Sequence, residues 1–151
     1  MTQKAKFMQA LSNYFGKHDF MTMSHTSMWE LFIIAFIRPK HSGYLKCYLP
    51  NSKATGIGGF IGNKGGLQLT FKLYGILYQV IGCHLVHSAK KFEKRNEMMS
   101  DLVRGLRFGR EELDPDIFSD VSIIMGDLNY RMEGTYQDLV PQMSNILKLI
   151  P

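Results

Sequence analysis

Acid, amide and basic side chains follow an apolar segment in the last third of the sequence. The segment VSIIM at 121–125 is followed directly by GDLNYR at 126–131. Side chains two residues apart share a face of an extended chain, so Asp127, Asn129 and Arg131 would point the same way. A carboxylate there can act as a general base, an amide can donate to a phosphate oxygen, and a guanidinium can pair with a phosphate. The same residue types also form ordinary turns after strands, and spacing alone favours that simpler interpretation.

Two histidines, His84 and His87, follow a second apolar segment that ends at residue 83. An imidazole at the end of a strand can donate a hydrogen bond to charge that develops on a phosphoryl oxygen. On its own, His84 is interpreted as a structural histidine. It becomes a site candidate because it is a second polar group at a second strand end. His87 is the weaker candidate, and packing in a loop is its simpler role.

Asn63 and Lys64 lie in a glycine-rich segment, GIGGFIGNKGG, at 56–66. Backbone N–H groups and one lysine could cradle a phosphate there. The spacing is not that of a P-loop, because Gly65 rather than Ser or Thr follows the lysine. It is not a dinucleotide fingerprint either, because a strand rather than a helix is predicted next. A hairpin loop that needs glycine geometry explains the segment equally well.

Arg95 and Asn96 belong to an amphipathic segment at 89–108, whose first turn is basic. The N-terminus of a helix together with basic side chains suits an anion. Lys90 and Lys91 fit a solvated helix face, which is the simpler interpretation of those two residues. Arg95 and Asn96 lie nearer the apolar side of the helix and are the stronger candidates.

Hydrophobic patterning predicts the elements that must position these residues. A helix is expected over 4–16, and a buried strand over 28–38 with a hairpin partner at 44–49. The further predicted elements are an antiparallel strand pair at 67–73 and 76–85, a helix at 89–108 capped by Ser88, a central strand at 121–125 and a helix within 136–150. This order predicts an α/β sandwich with a mixed sheet rather than a regular βαβ repeat.

The composition is that of a globular domain, at 45% hydrophobic and 21% charged residues, which excludes disordered and collagen-like chains. The net charge is +5, from 18 basic and 13 acidic side chains. This surplus favours anionic partners, although a charged and soluble surface explains it equally well.

The cysteines and apolar runs predict a cytoplasmic location. Cys47 and Cys83 lack metal-ligand spacing, so we expect no structural zinc site and interpret both as reduced core residues. Whether the two are joined in a disulfide stays open at this point. The longest apolar run, residues 31–37, is far shorter than the roughly 20 residues that cross a bilayer. The first residues do not have the pattern of a secretory signal.

Four segments, in this order, resemble the inositol polyphosphate 5-phosphatases of the endonuclease/exonuclease/phosphatase superfamily. They are TGIGGFIGNKGGLQLTF at 55–71, HLVH at 84–87, KRNEMM at 94–99 and IIMGDLNYRMEGTY at 123–136. The resemblance spans residues 28–140, and GDLNYR in this context is highly specific to that family. Ile124 departs from the pattern, since the family often has Trp there; this changes packing rather than chemistry.

The resemblance implies an α/β, DNase-I-like fold, here part of a four-layer αββα sandwich with mixed sheets. It also implies removal of the 5-phosphate from phosphoinositide lipids or soluble inositol polyphosphates, by Mg²⁺-assisted attack of water. By similarity, Asp127 would activate the water and Asn129 would orient the water or the phosphate. His84 would help to bind the phosphate.

The resemblance also implies substrate-binding residues, namely Lys64, Asn63, Arg95, Asn96, Arg131 and His87. Lys64 and Arg131 would be substrate-side or structural cations, and Arg95 with Asn96 would support the site. The implied partners are inositol phosphates or phosphoinositide lipids at a peripheral membrane surface, and not nucleic acid. Metal ligands and protein partners stay unassigned.

Residues 1–151 are expected to form one partial catalytic domain. Domains of the family are longer, with an earlier Asn and a Mg²⁺-binding Glu, and with a later Cys-Asp-Arg run and a Ser-Asp-His. None of these is matched here, so we expect impaired catalysis from this chain alone. The alternatives are a non-catalytic fragment that binds phosphoinositides or a partner, and a nuclease of the same superfamily, against which GDLNYR and GNKGG argue.

Overall fold

The computed structural model describes residues 2–56, 64–106, 119–131 and 134–147. In chain order the elements are helix α1 (Gln3–Gly16), strands β1 (Met21–Met28) and β2 (Leu31–Ile37), the one-turn helix α2 (Pro39–Ser42), strands β3 (Leu45–Ala54), β4 (Gly65–Leu73) and β5 (Ile76–His84), a 3₁₀ turn (Ala89–Lys91), helix α3 (Phe92–Gly105), strand β6 (Val121–Asp127) and helix α4 (Tyr136–Leu147). The predicted helix at the N-terminus, the strand pair β4–β5 and the amphipathic helix α3 are thereby confirmed.

These elements stack in four layers. A two-stranded antiparallel hairpin, β1–β2, lies between α1 and a four-stranded sheet of order β3-β4-β5-β6. Neighbouring strands of that sheet are antiparallel except for the parallel pair β5–β6, so the sheet is mixed. The α1 side chain of Phe15 stacks on Phe36 of the hairpin at 4.3 Å between ring centroids. On its inner side the hairpin presents Ile33 to Gly82 of β5, where an added Cβ would lie 2.8 Å from the Ile33 side chain.

Helix α3 covers the other face of the sheet and closes the core. Its sequence places apolar residues at helical spacing, so one stripe faces the strands. The buried cluster joins three residues of the β5 region to three of α3 and its C-terminus: Ile81, Cys83, Leu85, Met98, Leu102 and Leu106. Cys83 is a free, buried thiol, as predicted for a core cysteine. The α/β sandwich with a mixed sheet is therefore confirmed.

The predicted partner of the strand at 28–38 is wrong. Strand β2 pairs with β1, from Met28 opposite Leu31 to Met21 opposite Ile37 with one register shift between Thr22 and Ser24, whereas β3 pairs with β4. Pro39 begins the single turn of α2, which turns the chain away from β2. Patterning overlooked β1 because its sequence, MTMSHTSM, is largely polar.

Two further predictions need correction. Strand β6 is the last strand in the order of the described sheet rather than a central one, and Ile124 is 42% exposed. A fully apolar run predicts a central strand, whereas every residue of β6 is exposed in the described structure. Ser88 does not cap the following helix with its side chain; its backbone has φ of 93°, and its carbonyl accepts from the backbone N–H of Lys91 at 3.1 Å.

Part of the glycine-rich segment, residues 57–63, lies outside the described residues, and Asn63 with it. Lys64 is described, and Gly65 and Gly66 after it begin β4. In the described ranges, no helix is long and apolar enough to span a bilayer.

We expect Leu102→Ala to lower the free energy of unfolding by about 2–5 kcal/mol. Leu102 is 1% exposed, and its side chain lies against Gly66 of β4. Val103→Ala is the matched control on the same helix, because Val103 is 51% exposed. It should change that free energy by only about 0.5 kcal/mol. Urea unfolding followed by circular dichroism measures both, and equal losses would contradict the packing of α3 on the sheet.

Candidate active site

The site lies where the parallel strands β5 and β6 end side by side. Their last residues, His84 and Asp127, are in register with each other. The His84 Nε2 atom lies 3.5 Å from an Asp127 carboxylate oxygen. Carboxyl ends of parallel strands are a common place for polar groups to converge, because both chains leave the sheet at the same edge. The structure thereby brings together two of the predicted catalytic residues.

Gly126 permits this close approach of β6 to β5. Its φ is +130°, and a Cβ built there would lie 2.0 Å from the Cys83 carbonyl oxygen and 2.9 Å from the Cys83 nitrogen. No side chain fits in that space. The pairing continues one residue further, since the Leu85 backbone N–H donates to the Asp127 carbonyl at 3.0 Å. A glycine at this position is therefore what places Asp127 beside His84.

Lys64 reaches the same place from the other side of β5. It immediately precedes β4, whose first residue, Gly65, is in register with His84. Lys64 Nζ lies 2.7 Å from His84 Nε2 and 3.4 Å from His84 Nδ1, so the ammonium can donate to the ring nitrogen that carries no proton. A cation, an imidazole and a carboxylate thus come together at the ends of three adjacent strands.

The surroundings of His84 favour its neutral form. Burial lowers its pKa, and the positive charge of Lys64 lowers it further. The carboxylate of Asp127 opposes these effects by raising the pKa, and His87 adds another lowering. Because the net shift is downward from 6.5, His84 is neutral at pH 7, and its contact with Asp127 is not an ion pair.

Asn129 connects the segment after β6 to the segment after β5. Its side-chain Nδ2 donates to the Leu85 carbonyl at 3.0 Å. Its backbone is left-handed, with φ of 55°, a conformation that Asn adopts more readily than most residues. The amide nitrogen is therefore engaged by the protein, and the predicted contact of Asn129 with water or phosphate stays a prediction.

Arg95 and Asn96 lie beside these segments. Arg95 is 1% exposed and donates to the carbonyls of Ser88, at 2.5 Å, and Val86, at 3.5 Å. The Asn96 Oδ1 atom accepts from the Tyr130 hydroxyl at 2.8 Å. These contacts favour the supporting role that the resemblance implies. Direct substrate contact by either residue stays a prediction.

His87 and Arg131, the other described candidates, are exposed. Tyr130 was not singled out from the sequence, although it contacts α3 through its hydroxyl and lies in GDLNYR. An aromatic residue between Asn129 and Arg131 was the available signal.

A pocket of about 290 Å³ opens beside His84 and Asp127, between the β1–β2 hairpin and the sheet. Apolar side chains of β2 and β4 form much of its wall, including Phe32 and Leu67. Within the described ranges, no three His, Cys, Asp or Glu side chains converge as metal ligands would. These residues therefore do not by themselves make a complete Mg²⁺ site.

We expect opposite shifts in the pKa of His84 when its two charged neighbours are neutralised. Lys64→Met removes a positive charge and should raise this pKa, whereas Asp127→Asn removes a negative charge and should lower it. Lys72→Met is the control. Lys72 lies on β4 opposite Leu77, at the end of the strand away from His84, so this variant should leave the pKa of His84 unchanged. Titration of the His84 ring by NMR measures all three, and shifts of the same sign would contradict the geometry.

We also expect Gly126→Ala to lower the free energy of unfolding by about 2–5 kcal/mol, because the added methyl group meets the Cys83 backbone and the positive φ strains a residue with a Cβ. Gly75→Ala is the matched control: its φ is also positive, but an added Cβ has nothing within 4 Å. That variant should cost only the backbone strain, about 1–2 kcal/mol. Thermal unfolding compares the two, and a Gly126 variant no less stable than the control would refute the close approach.

The sequence is similar to two curated phosphatases. Human phosphatidylinositol 3,4,5-trisphosphate 5-phosphatase 2 is 27% identical over 132 residues, which cover 83% of this chain and 10% of that protein. Mouse inositol polyphosphate 5-phosphatase K is 30% identical over 115 residues, which cover 76% of this chain and 25% of that protein. The chain therefore spans a quarter or less of the length of these relatives.

Two solved structures share the fold. One is the inositol polyphosphate 5-phosphatase domain of SPsynaptojanin in complex with inositol (1,4)-bisphosphate and calcium ion, with a TM-score of 0.76 and 20% identity over 95% of this chain and 42% of that one. The other is the Cimex nitrophorin ferrous NO complex, with a TM-score of 0.66 and 16% identity over 98% of this chain and 50% of that one. At these identities the likeness shows the fold alone, and it confirms the predicted fold class.

The family match covers almost the entire sequence. Residues 1–150 match the family described as Endonuclease/Exonuclease/phosphatase family 2. This agrees with the resemblance that the four sequence segments indicated, and with the convergence of His84 and Asp127 at one sheet edge. The chain belongs to the endonuclease/exonuclease/phosphatase family 2.

Proposed function

We propose that this chain is part of a phosphatase that removes the 5-phosphate from phosphoinositides or soluble inositol polyphosphates. The observation that carries the proposal is the grouping of Lys64, His84 and Asp127 at the ends of three adjacent strands. The ammonium and the imidazole can bind a phosphate, and the carboxylate can bind a water molecule. The relatives named as inositol lipid and inositol phosphate 5-phosphatases support this substrate class.

Lys64 and His84 would hold the phosphate. The Lys64 ammonium is a compact point charge that attracts phosphate oxygens. His84 is neutral, so one of its ring nitrogens carries a proton and can donate to a phosphate oxygen, while the other can accept from Lys64. An ammonium and an imidazole N–H placed where negative charge develops stabilise the transition state more than the bound ester.

Asp127 would activate the attacking water. Its side chain is 64% exposed, so a water molecule has access to the carboxylate. As the water oxygen bonds to phosphorus, the water proton passes to Asp127 and the bond from phosphorus to the inositol 5-oxygen breaks. The departing inositol oxygen takes up one proton, so the products are the free 5-hydroxyl and inorganic phosphate. Catalysis would otherwise consist of positioning and charge stabilisation.

The whole protein is proposed to use a divalent cation, Mg²⁺ by family resemblance. Among the described residues, no three side chains form a set of metal ligands. Because the chain covers 42% of the SPsynaptojanin 5-phosphatase domain and a quarter or less of the curated relatives, we propose that residues 1–151 form part of a larger catalytic domain and turn over substrate poorly alone. Binding of inositol phosphates or phosphoinositides without turnover is the alternative.

The net charge of +5 supports an anionic substrate and transient contact with an anionic membrane surface. We place such a protein in the cytoplasm, peripheral to membranes. Nucleic acid is not proposed as a substrate.

We expect the chain to bind inositol 1,4,5-trisphosphate, with Lys64→Ala weakening the affinity at least about tenfold through loss of a charged contact. Asp127→Asn should bind at least as tightly, since it removes a carboxylate that repels phosphate, but any Mg²⁺-dependent phosphate release should fall at least about a thousandfold. Calorimetry and a phosphate-release assay measure the two effects.

Lys90→Ala, at an exposed lysine beside α3, is the control for non-specific charge effects. Binding that is equally weakened by Lys90→Ala and Lys64→Ala would contradict a built phosphate site. Cleavage of plain duplex DNA that depends on Asp127 would show a nuclease activity and contradict the proposed phosphatase. Binding without release would indicate a binding fragment.

A further inference from the structure

Two short segments carry the chain away from the site, residues 85–88 after β5 and residues 128–131 after β6. Both contain a non-glycine residue with positive φ, Ser88 at 93° and Asn129 at 55°. Residues with a side chain keep a positive φ mainly where the surrounding contacts favour it. The contacts around these two residues therefore hold the site in shape.

Arg95 is the buried anchor of the first segment. Its guanidinium bonds the carbonyls of Val86 and Ser88, and no carboxylate pairs with it in the described part of the chain. A buried charge without an opposite charge is costly unless polar groups surround it. The ring of Tyr130 supplies a further favourable contact, since the guanidinium carbon lies 5.4 Å from the ring centroid.

Tyr130 fastens the second segment to the same helix. Its hydroxyl donates to Asn96 Oδ1 at 2.8 Å, and its ring forms a T-shaped pair with the Phe92 ring at 5.9 Å between centroids. One side chain thus contacts three residues in the first two turns of α3: Phe92, Arg95 and Asn96. Tyr130 lies three residues after Asp127 and is 42% exposed.

We infer that Tyr130 is a positioning residue for the proposed phosphatase site, fixing Asp127 relative to His84 by fastening the segment after β6 to α3. The inference rests on the proposed function for its biological meaning, but its geometry does not. Through Arg95, the same helix also holds the segment after β5. Through Tyr130 and Arg95, the segments after β6 and β5 are therefore both held by α3.

The test is the titration of His84, which reports how near the Asp127 carboxylate lies, because that carboxylate raises the pKa of His84. In the full chain, Tyr130→Phe removes only the hydroxyl and keeps the ring over Arg95. Tyr130→Ala removes the hydroxyl and the ring together. We expect a lower His84 pKa in Tyr130→Phe and a still lower one in Tyr130→Ala. Tyr14→Phe, at an exposed tyrosine of α1, is the control and should leave it unchanged.

A double-mutant cycle with Asn96→Ala identifies the bond responsible. If Tyr130 acts through Asn96, the double variant should shift the pKa no further than Tyr130→Phe alone. A merely structural tyrosine would lower the melting temperature and leave the pKa of His84 at its wild-type value, which would overturn the inference. If wild-type chain binds no inositol phosphate, the proposed function fails, but the titration still tests Tyr130.

Discussion

The site depends on how closely β6 lies against β5 at the point where both strands end. Gly126 has no Cβ, and a Cβ at this position would clash with the Cys83 backbone. The pairing of β5 with β6 can therefore continue to Asp127 and Leu85. With a side chain at this position, β6 would have to separate from β5 before its last residue. The Asp127 carboxylate would then lie away from the His84 imidazole, and the polar groups of the site would no longer lie together.

The register of the sheet extends this constraint to the other strands. Because β4 is antiparallel to β5, its beginning lies at the end of β5, and the residue before it, Lys64, meets His84. Helix α3 then serves two purposes. Its apolar stripe covers the sheet with Met98 and Leu102, and its first turns hold the segments after β5 and β6. The core and the site therefore share one helix, so that the stability of the fold and the geometry of the site are linked.

The sequence predicted the location of the polar groups better than the pairing of the strands. His84 and Asp127 follow apolar runs, and runs of that kind reliably indicate buried or half-buried strands. The partner of β2 could not be predicted, because β1 is largely polar and pairs through its backbone. For β6, apolar composition indicates a strand but does not report its position in the sheet.

The side-chain contacts of the site also could not be predicted from hydrophobic patterning. Periodicity placed Arg95 near the apolar side of α3. Its hydrogen bond depends on the carbonyl of Ser88, whose φ is positive, and a serine in the sequence does not indicate a positive φ. The contact of Tyr130 with Asn96 joins residues 34 positions apart, and such contacts follow from the three-dimensional packing rather than from local sequence.

The most direct test of the central claim is to map where an inositol phosphate binds on the folded chain. NMR spectra recorded during a titration with inositol 1,4,5-trisphosphate would show which backbone amides and ring signals change. The account predicts that the changes concentrate at Lys64, His84 and the residues around Asp127. Changes confined to Lys46 and Lys72 at the opposite end of the sheet, or the absence of saturable changes, would contradict it.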